Sequence, residues 1–272
     1  MAKNKGTIEG TEAEIQFVQH INLHKTENHK IWKTLKTHLF LNDPLEKYHI
    51  IRVTKKVLST LNNKKVLPKA DCYLVEGTIP GSYIKKHLGL LDENNTQGFS
   101  LQHINNSGIS IKRPDSLKYQ ILKMRPDSFC KLIGNYESGA GASIYCTKVE
   151  EISKNTTVLQ GWHITWKDLF SYFKPLIPDI ENVLSTSISD NDKLTLLKEI
   201  KTKANEIIKN KILSNDLRKK KAFQGIGLYP EPYPAHFLFE KNDFRLYVPY
   251  DFNVTTGSGR SKGDFTIVLK PL

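Results

Sequence analysis

Lys69-Ala70-Asp71-Cys72-Tyr73-Leu74-Val75-Glu76 and, further on, Gly108-Ile109-Ser110-Ile111-Lys112-Arg113 decide how this chain is read. Both are short runs of alternating or β-branched apolar residues, the pattern of strands. The first carries an acid at its mouth, and the second carries a lysine two residues beyond a small polar residue. Side by side in one sheet, the two strands bring Asp71 and Lys112 to one point. There an acid can hold a divalent metal and a lysine can orient and polarise a water. The long insertion between them, Gly77 to Ser107, holds a short helix near Tyr83 to Leu88. His87 and His103 have no ligand-spaced companions and read as surface or core histidines.

Three further phrases accompany this pair: Gly10-Thr11-Glu12-Ala13-Glu14-Ile15-Gln16-Phe17-Val18, Ser107-Gly108-Ile109-Ser110-Ile111-Lys112, and Gly134-Asn135-Tyr136-Glu137-Ser138-Gly139-Ala140-Gly141-Ala142-Ser143. With Ala70-Asp71 they resemble the PD-(D/E)xK nuclease fold, and type II restriction endonucleases in particular, over roughly the first two thirds of the chain. In that family an Asp begins one strand and acid-x-Lys lies on the next. Here Ala70 stands in place of the proline and Ser110 in place of the second acid.

The resemblance implies an α/β fold with a central mixed sheet flanked by helices, a restriction-endonuclease-like core with helical elaboration. It implies Mg²⁺-dependent hydrolysis of phosphodiester bonds in double-stranded DNA at a short specific sequence. It also implies a homodimer on a near-palindromic site and a companion methyltransferase in a restriction-modification system. In the site, Asp71 and the Ile111 carbonyl hold the metal and Lys112 activates the attacking water. Ser110 supplies an oxygen without charge, so a further carboxylate comes from elsewhere: Glu14, Glu137 or Asp127. A glutamate on the first helix of such enzymes often reaches the metal, and Glu14 occupies that place. Two alternatives stand beside this reading: another nuclease of the same fold acting in repair or on RNA, and a basic DNA-binding protein without catalysis.

The totals agree with a polyanionic partner. Among 272 residues, 40 Lys and Arg against 28 Asp and Glu leave a net charge of +12. Such a surplus favours phosphate neutralisation with counterion release. The length suits a single domain spanning 1–272, with a core over about 10–150 and a helical and C-terminal β elaboration over about 151–272. Three cysteines, Cys72, Cys130 and Cys146, show neither a CxxC spacing nor an even count, which argues against a zinc site or a disulfide framework. No apolar run follows Met1–Gly6 and none is long enough to span a bilayer. The chain is expected in the cytoplasm, away from membranes.

Taken in order, residues 11–25 read as an amphipathic helix whose cap is Thr11 with Glu14 three residues on. Glu14 therefore has two possible roles, cap or metal ligand. Residues 31–40 and 48–61 read as helices separated by Asn42-Asp43-Pro44, and Lys55, Lys56, Lys64 and Lys65 as a solvated face. Residues 118–124 suggest a strand and 126–133 a helix closed by Gly134. The small residues Gly139 to Ala142 suit either close approach to a phosphate or a tight packing turn. Helices are expected over 162–173 and, with a break near 185–192, over 179–213, where Leu194, Leu197, Ile200, Ala204, Ile207 and Ile208 mark a core or dimer face. Arg113 and the run Arg218, Lys219, Lys220 and Lys221 are candidate DNA contacts, the run being equally a solvated turn. Residues 236–240 and 244–249 form a hairpin and 265–269 the last strand. The loop between Thr255 and Asp264 offers Arg260 and Lys262 to a groove, or is simply a surface hairpin.

Overall fold

The structure, a computed structural model, describes residues 5–113, 119–149, 152, 156–256 and 265–272. The chain divides into two compact units, one of Met1–Leu117 with Phe223–Pro249 and the other of Lys118–Ala222 with Tyr250–Leu272. The segment after 223 thus returns to the first unit before the chain ends in the second.

The first unit opens with α1 (Lys5–Leu23) and α2 (His29–Leu39), followed by β1 (Tyr48–Arg52) and a hairpin of β2 (Val57–Ser59) and β3 (Lys64–Val66). Next come β4 (Cys72–Gly77), α3 (Gly81–Lys86), β5 (Leu101–His103) and β6 (Ile109–Ile111). The chain leaves for the second unit with β7 (Leu122–Met124) and comes back as β8 (Phe237–Glu240) and β9 (Asp243–Leu246). The main sheet runs β1-β4-β6-β8-β9, with β5 also paired to β4. It is mixed: β6 and β8 are parallel, in the register Ile109↔Phe237, and the other pairs are antiparallel. A mixed α/β sheet flanked by helices is thus present, as the sequence suggested.

Alternation decides which face each residue covers. Ile50, Leu74, Ile109 and Ile111 pack with Phe17, Val18 and Ile21 of α1 and Trp32 and Leu35 of α2. Ile51 and Val75, one residue out of phase, join Ile79 and Leu91 in a separate cluster. Along the edge strand β1, the buried Asn22 side chain mimics a neighbouring strand. Its amide donates to the Ile50 carbonyl (2.8 Å) and its oxygen accepts from the Ile50 N–H (2.9 Å). Buried backbone groups left without such partners cost stability.

Two expectations are corrected here. Residues 48–61 form β1 and β2 rather than a helix. Tyr48 to Ile51 are all buried, so no period marks them, and pairing with β4 settles the conformation. The first helix starts at Lys5, which places Thr11 and Glu14 in its interior and removes Glu14 from the capping role.

In the second unit β10 (Phe252–Thr256), β11 (Ile267–Pro271) and β7 form a three-stranded antiparallel sheet. Its helices are α4 (Pro126–Ile133), α5 (Glu137–Ser143), α6 (Thr157–Gly161), α7 (Trp166–Phe173), α8 (Asp190–Leu213) and α9 (Asp216–Gln224), the last running on into the first unit. Gly134, in the left-handed conformation (φ 93°), closes α4 as expected. The stretch read as a possible phosphate loop is instead α5, buried from Ser138 to Ser143. A Cβ on Gly139 would meet the Trp162 ring at 2.2 Å, and one on Gly141 would meet the Phe173 ring at 2.6 Å. Its small residues serve packing. Leu197, Ile200, Ala204 and Ile208 of α8 are core residues of this unit. Among the described residues no helix is long and apolar enough to cross a membrane.

Gly108 admits β6 to the sheet. A Cβ there would lie 1.9 Å from the Pro234 carbonyl oxygen and 2.9 Å from the Ala70 Cβ. Gly108→Ala is expected to lower unfolding free energy by about 2–4 kcal/mol, since the obstacle is backbone. Gly10→Ala, in α1 with open space around it, should raise stability by about 0.5–1 kcal/mol. Denaturant titration of both variants checks the contrast; equal effects would remove Gly108 from this role.

Candidate active site

The backbones of β4 and β6 pair at one register position, Cys72 opposite Ile109. Immediately before it the Asp71 N–H donates to the Ile109 carbonyl (2.8 Å). There the strands part, and a side chain continues the ladder: Asp71 Oδ2 accepts from the Ile111 N–H at 2.7 Å and from Ser110 Oγ at 3.3 Å. Lys112 Nζ donates to the same Ser110 hydroxyl at 2.8 Å. The lysine reaches it because residues two apart on an extended strand share a face. Ser110 is buried, so this hydroxyl links acid and lysine away from bulk water.

Glu14 arrives from α1. Its spacing to Phe17, Val18 and Ile21 sets it at the head of the buried helical stripe. The carboxylate is turned inward, where Oε2 accepts from Arg52 Nε (3.1 Å) and Nη2 (2.8 Å). Arg52 ends β1, the strand beside β4. Lys69 precedes Asp71 by two residues and completes a group of two carboxylates and three cations.

The electrostatics are those of an enclosed site. Asp71 keeps some surface exposure, yet burial of its carboxyl pushes its pKa above the ordinary 3.8, against the pull of Lys112, the Ile111 N–H, Ser110 and Arg52. Glu14 is likewise raised by burial and then by repulsion from Asp71, although Arg52 and Lys112 oppose this. The two acids thus sense each other. Lys69 is pushed down to about 7 by burial and by Lys112, with Asp71 acting the other way. These shifts mark a place where charge is held at a cost.

The arrangement offers a cation only oxygen donors. Asp71 and Glu14 each have one oxygen without a hydrogen bond from the described residues. Ile111 points its N–H at Asp71, and its carbonyl lies on the same side, since neighbouring Lys112 turns its N–H to Phe239 on β8. Two carboxylates and a carbonyl suit Mg²⁺, which takes one or two carboxylates and keeps waters or phosphate oxygens. Among the described residues no group of three or more His, Cys, Asp or Glu is gathered for a metal. Beside Lys112 opens a cleft of about 370 Å³, lined by Gln16, Phe17, His20, Ile111, Phe239 and Asn242 among others.

The remaining site expectations fall elsewhere. Glu137 begins α5 in the second unit, within reach of the charge of Lys211, and Asp127 accepts from the Tyr136 hydroxyl in the same unit. Within the first unit the carboxylate that senses Asp71 is Glu14. Arg113 is ion-paired with Glu9. In α9, Lys219 pairs with Asp216 (2.7 Å) and Arg218 donates to the Lys211 carbonyl (3.4 Å). Lys220 is exposed, and Lys221 is half-buried on the same helix. Arg260 and Lys262 lie outside the described residues. Sequence reasoning missed Arg52 and gave Lys69 no role. Arg52 becomes visible once 48–52 is read as a strand, and Lys69 shares the side of Asp71 by its spacing of two.

Family models, curated proteins and solved structures were compared with this chain, and none matches it.

The raised acids give a stability test. A carboxyl with a raised native pKa binds its proton more tightly folded than unfolded, so stability falls as pH climbs from its ordinary value through the native one. Asp71→Asn removes that penalty while keeping an acceptor for Ile111. Without divalent metal, the variant is expected to melt higher than wild type at pH 8, with the gap closing in the acid range. Added Mg²⁺ should raise the wild-type Tm and leave the variant's unchanged. A pH-independent gap would contradict the assignment.

Proposed function

We propose that this chain is a metal-dependent endonuclease of the type II restriction class, hydrolysing phosphodiester bonds in double-stranded DNA at a short sequence. The observation that carries the reading is the meeting of Asp71, Ser110, Lys112 and Glu14 where β4 and β6 part. Asp71 and Glu14, with the Ile111 carbonyl, are the groups that would hold Mg²⁺. When bound there, the ion supplies neutralisation of phosphoryl charge and a bound water of lowered pKa. Lys112, its ammonium fixed by Ser110, orients the attacking water and opposes the charge that develops on the phosphoryl oxygens. Arg52 holds Glu14 in place by a two-point contact, which leaves the second carboxylate oxygen for the metal. Lys112 and Arg52 balance the two carboxylates, and a cation bound there would supply the positive excess that suits a phosphate.

The chain's net charge of +12 supports a nucleic-acid partner. The likeness to restriction enzymes further implies a homodimer on a near-palindromic site and a methyltransferase that protects the host sequence. Of the phosphate contacts first considered, Lys220 is the exposed cation of α9, whereas Arg113, Arg218 and Lys219 are engaged within the protein.

Incubation of plasmid DNA with Mg²⁺ tests the reading: discrete bands are expected, a smear would mean a nonspecific nuclease, and intact DNA would leave a binder. Asp71→Ala and Lys112→Ala should each lower cleavage on the order of a thousandfold or more while DNA binding persists. Near wild-type cutting by either variant would sink the assignment.

Glu14→Gln keeps the shape and removes the charge. It should lower the cleavage rate by about a hundredfold and raise the Mg²⁺ concentration needed for half-maximal activity. An unaltered Mg²⁺ requirement would show that the second carboxylate is another residue.

A further inference from the structure

We propose that the ribbon formed by β2 and β3 is a phosphate clamp that grips the backbone of double-stranded DNA beside the cleavage site. For its partner the proposal rests on the nuclease reading.

The ribbon concentrates charge of one sign. Lys55, Lys56, Lys64 and Lys65 are all exposed, and no acid occurs between Thr54 and Ala70. Among the described residues none of the four lysines has an ion pair. They differ in this from Arg113, held by Glu9, and Lys219, held by Asp216. Four unneutralised ammonium groups on one ribbon repel one another, and a row of phosphates relieves that repulsion by releasing its own counterions.

The ribbon is also rigid. At its base, the buried Glu93 accepts from the backbone N–H groups of Thr54 (2.7 Å) and Lys55 (2.8 Å). The same carboxylate accepts from the Tyr233 hydroxyl (2.9 Å). At its tip, Thr60 donates its N–H to the Leu228 carbonyl (3.0 Å) and its hydroxyl to the Gly227 carbonyl (3.1 Å). Leu61 and Ser59 are buried there. The lysine stems therefore rise from a frame held at both ends, which reduces the conformational freedom lost on binding.

Register gives the ribbon one outward face. Leu58 stands opposite Lys65, and alternation adds Lys56 and Leu67 to the same side. Leu58 is 56% exposed and Leu67 62%, so each lysine of this face stands opposite an open leucine. Deoxyribose carbons alternate with phosphates along a DNA strand, and they match this alternation of apolar and cationic groups.

The chain itself sets the distance to the site. Asp71 follows Val66 by five residue steps, so the end of the ribbon lies within about 18 Å of the acid. That is about five phosphates along one strand. A clamp at this range fixes the register of the duplex without touching the reacting phosphate.

The test measures duplex binding in EDTA, where cleavage is not needed, by fluorescence anisotropy across a KCl series. The probe is a random-sequence DNA duplex. The variant Lys56→Gln with Lys65→Gln, the two lysines of the outward face, should lose up to about 1.8 from the slope of log K against log salt, about 0.9 for each contact. Lys65→Gln alone should lose about 0.9 and guards against misfolding of the double variant. An unchanged slope in folded variants would overturn the clamp and leave the nuclease reading standing. Failure of the wild-type chain to bind duplex would strike the nuclease reading itself. A slope loss with an RNA duplex but none with DNA would overturn the choice of partner.

Discussion

The hydrogen bond from the Ile111 N–H to Asp71 Oδ2 is the contact on which the first unit's chemistry depends. A sheet normally continues by pairing backbone with backbone. Here β4 and β6 do so at Cys72 and Ile109, and then a carboxylate takes the place of a strand. Because the ladder ends in a side chain, the strands can separate without orphaning the Ile111 donor. The gap they leave admits Ser110 and Lys112 from one strand and Glu14 from the helix above. The aspartate is thereby held as firmly as a backbone group.

Ordinary ion pairs do not account for this cluster. At the surface, Asp43 beside Lys47 and Asp216 beside Lys219 are held below the usual carboxylate range. Asp71 and Glu14 have cations near them as well, yet both rise, because burial and mutual repulsion exceed the attraction. Burial of like charges in this way costs stability, unlike the surface pairs.

The sequence made Asp71 and Lys112 legible for a simple reason. Each borders a short strand, Asp71 just before β4 and Lys112 just after β6, and the period of two that brings Lys112 to Ser110 survives in the residue order. Helix α4 was equally plain, with Pro126 at its start and Gly134 at its end. Residues 48–52 were opaque because both faces of β1 are buried, which erases the alternation. Arg52 was lost with them. Gly139 and Gly141 misled because small residues permit close approach of any kind, and the partners proved to be aromatic rings. Least legible was β8, which looked like part of a terminal elaboration. Its place beside β6 depends on a parallel pairing between distant parts of the chain, for which no local pattern exists.

That distant pairing also orders events in time. During synthesis β6 emerges early, together with Asp71 and Lys112, but its partner edge stays empty until residues 237–239 have followed. Most of the second unit is made in between, and its sheet closes later still, when β11 reaches β7. The Lys112 N–H donates to the Phe239 carbonyl, so the hydrogen bonding around the lysine is completed late. A ribosome carrying a partly made chain therefore carries no finished site. Closing so long a loop slows folding. For a chain read as a cutter of DNA, the same delay means that assembly of its chemistry is postponed until most of the protein exists.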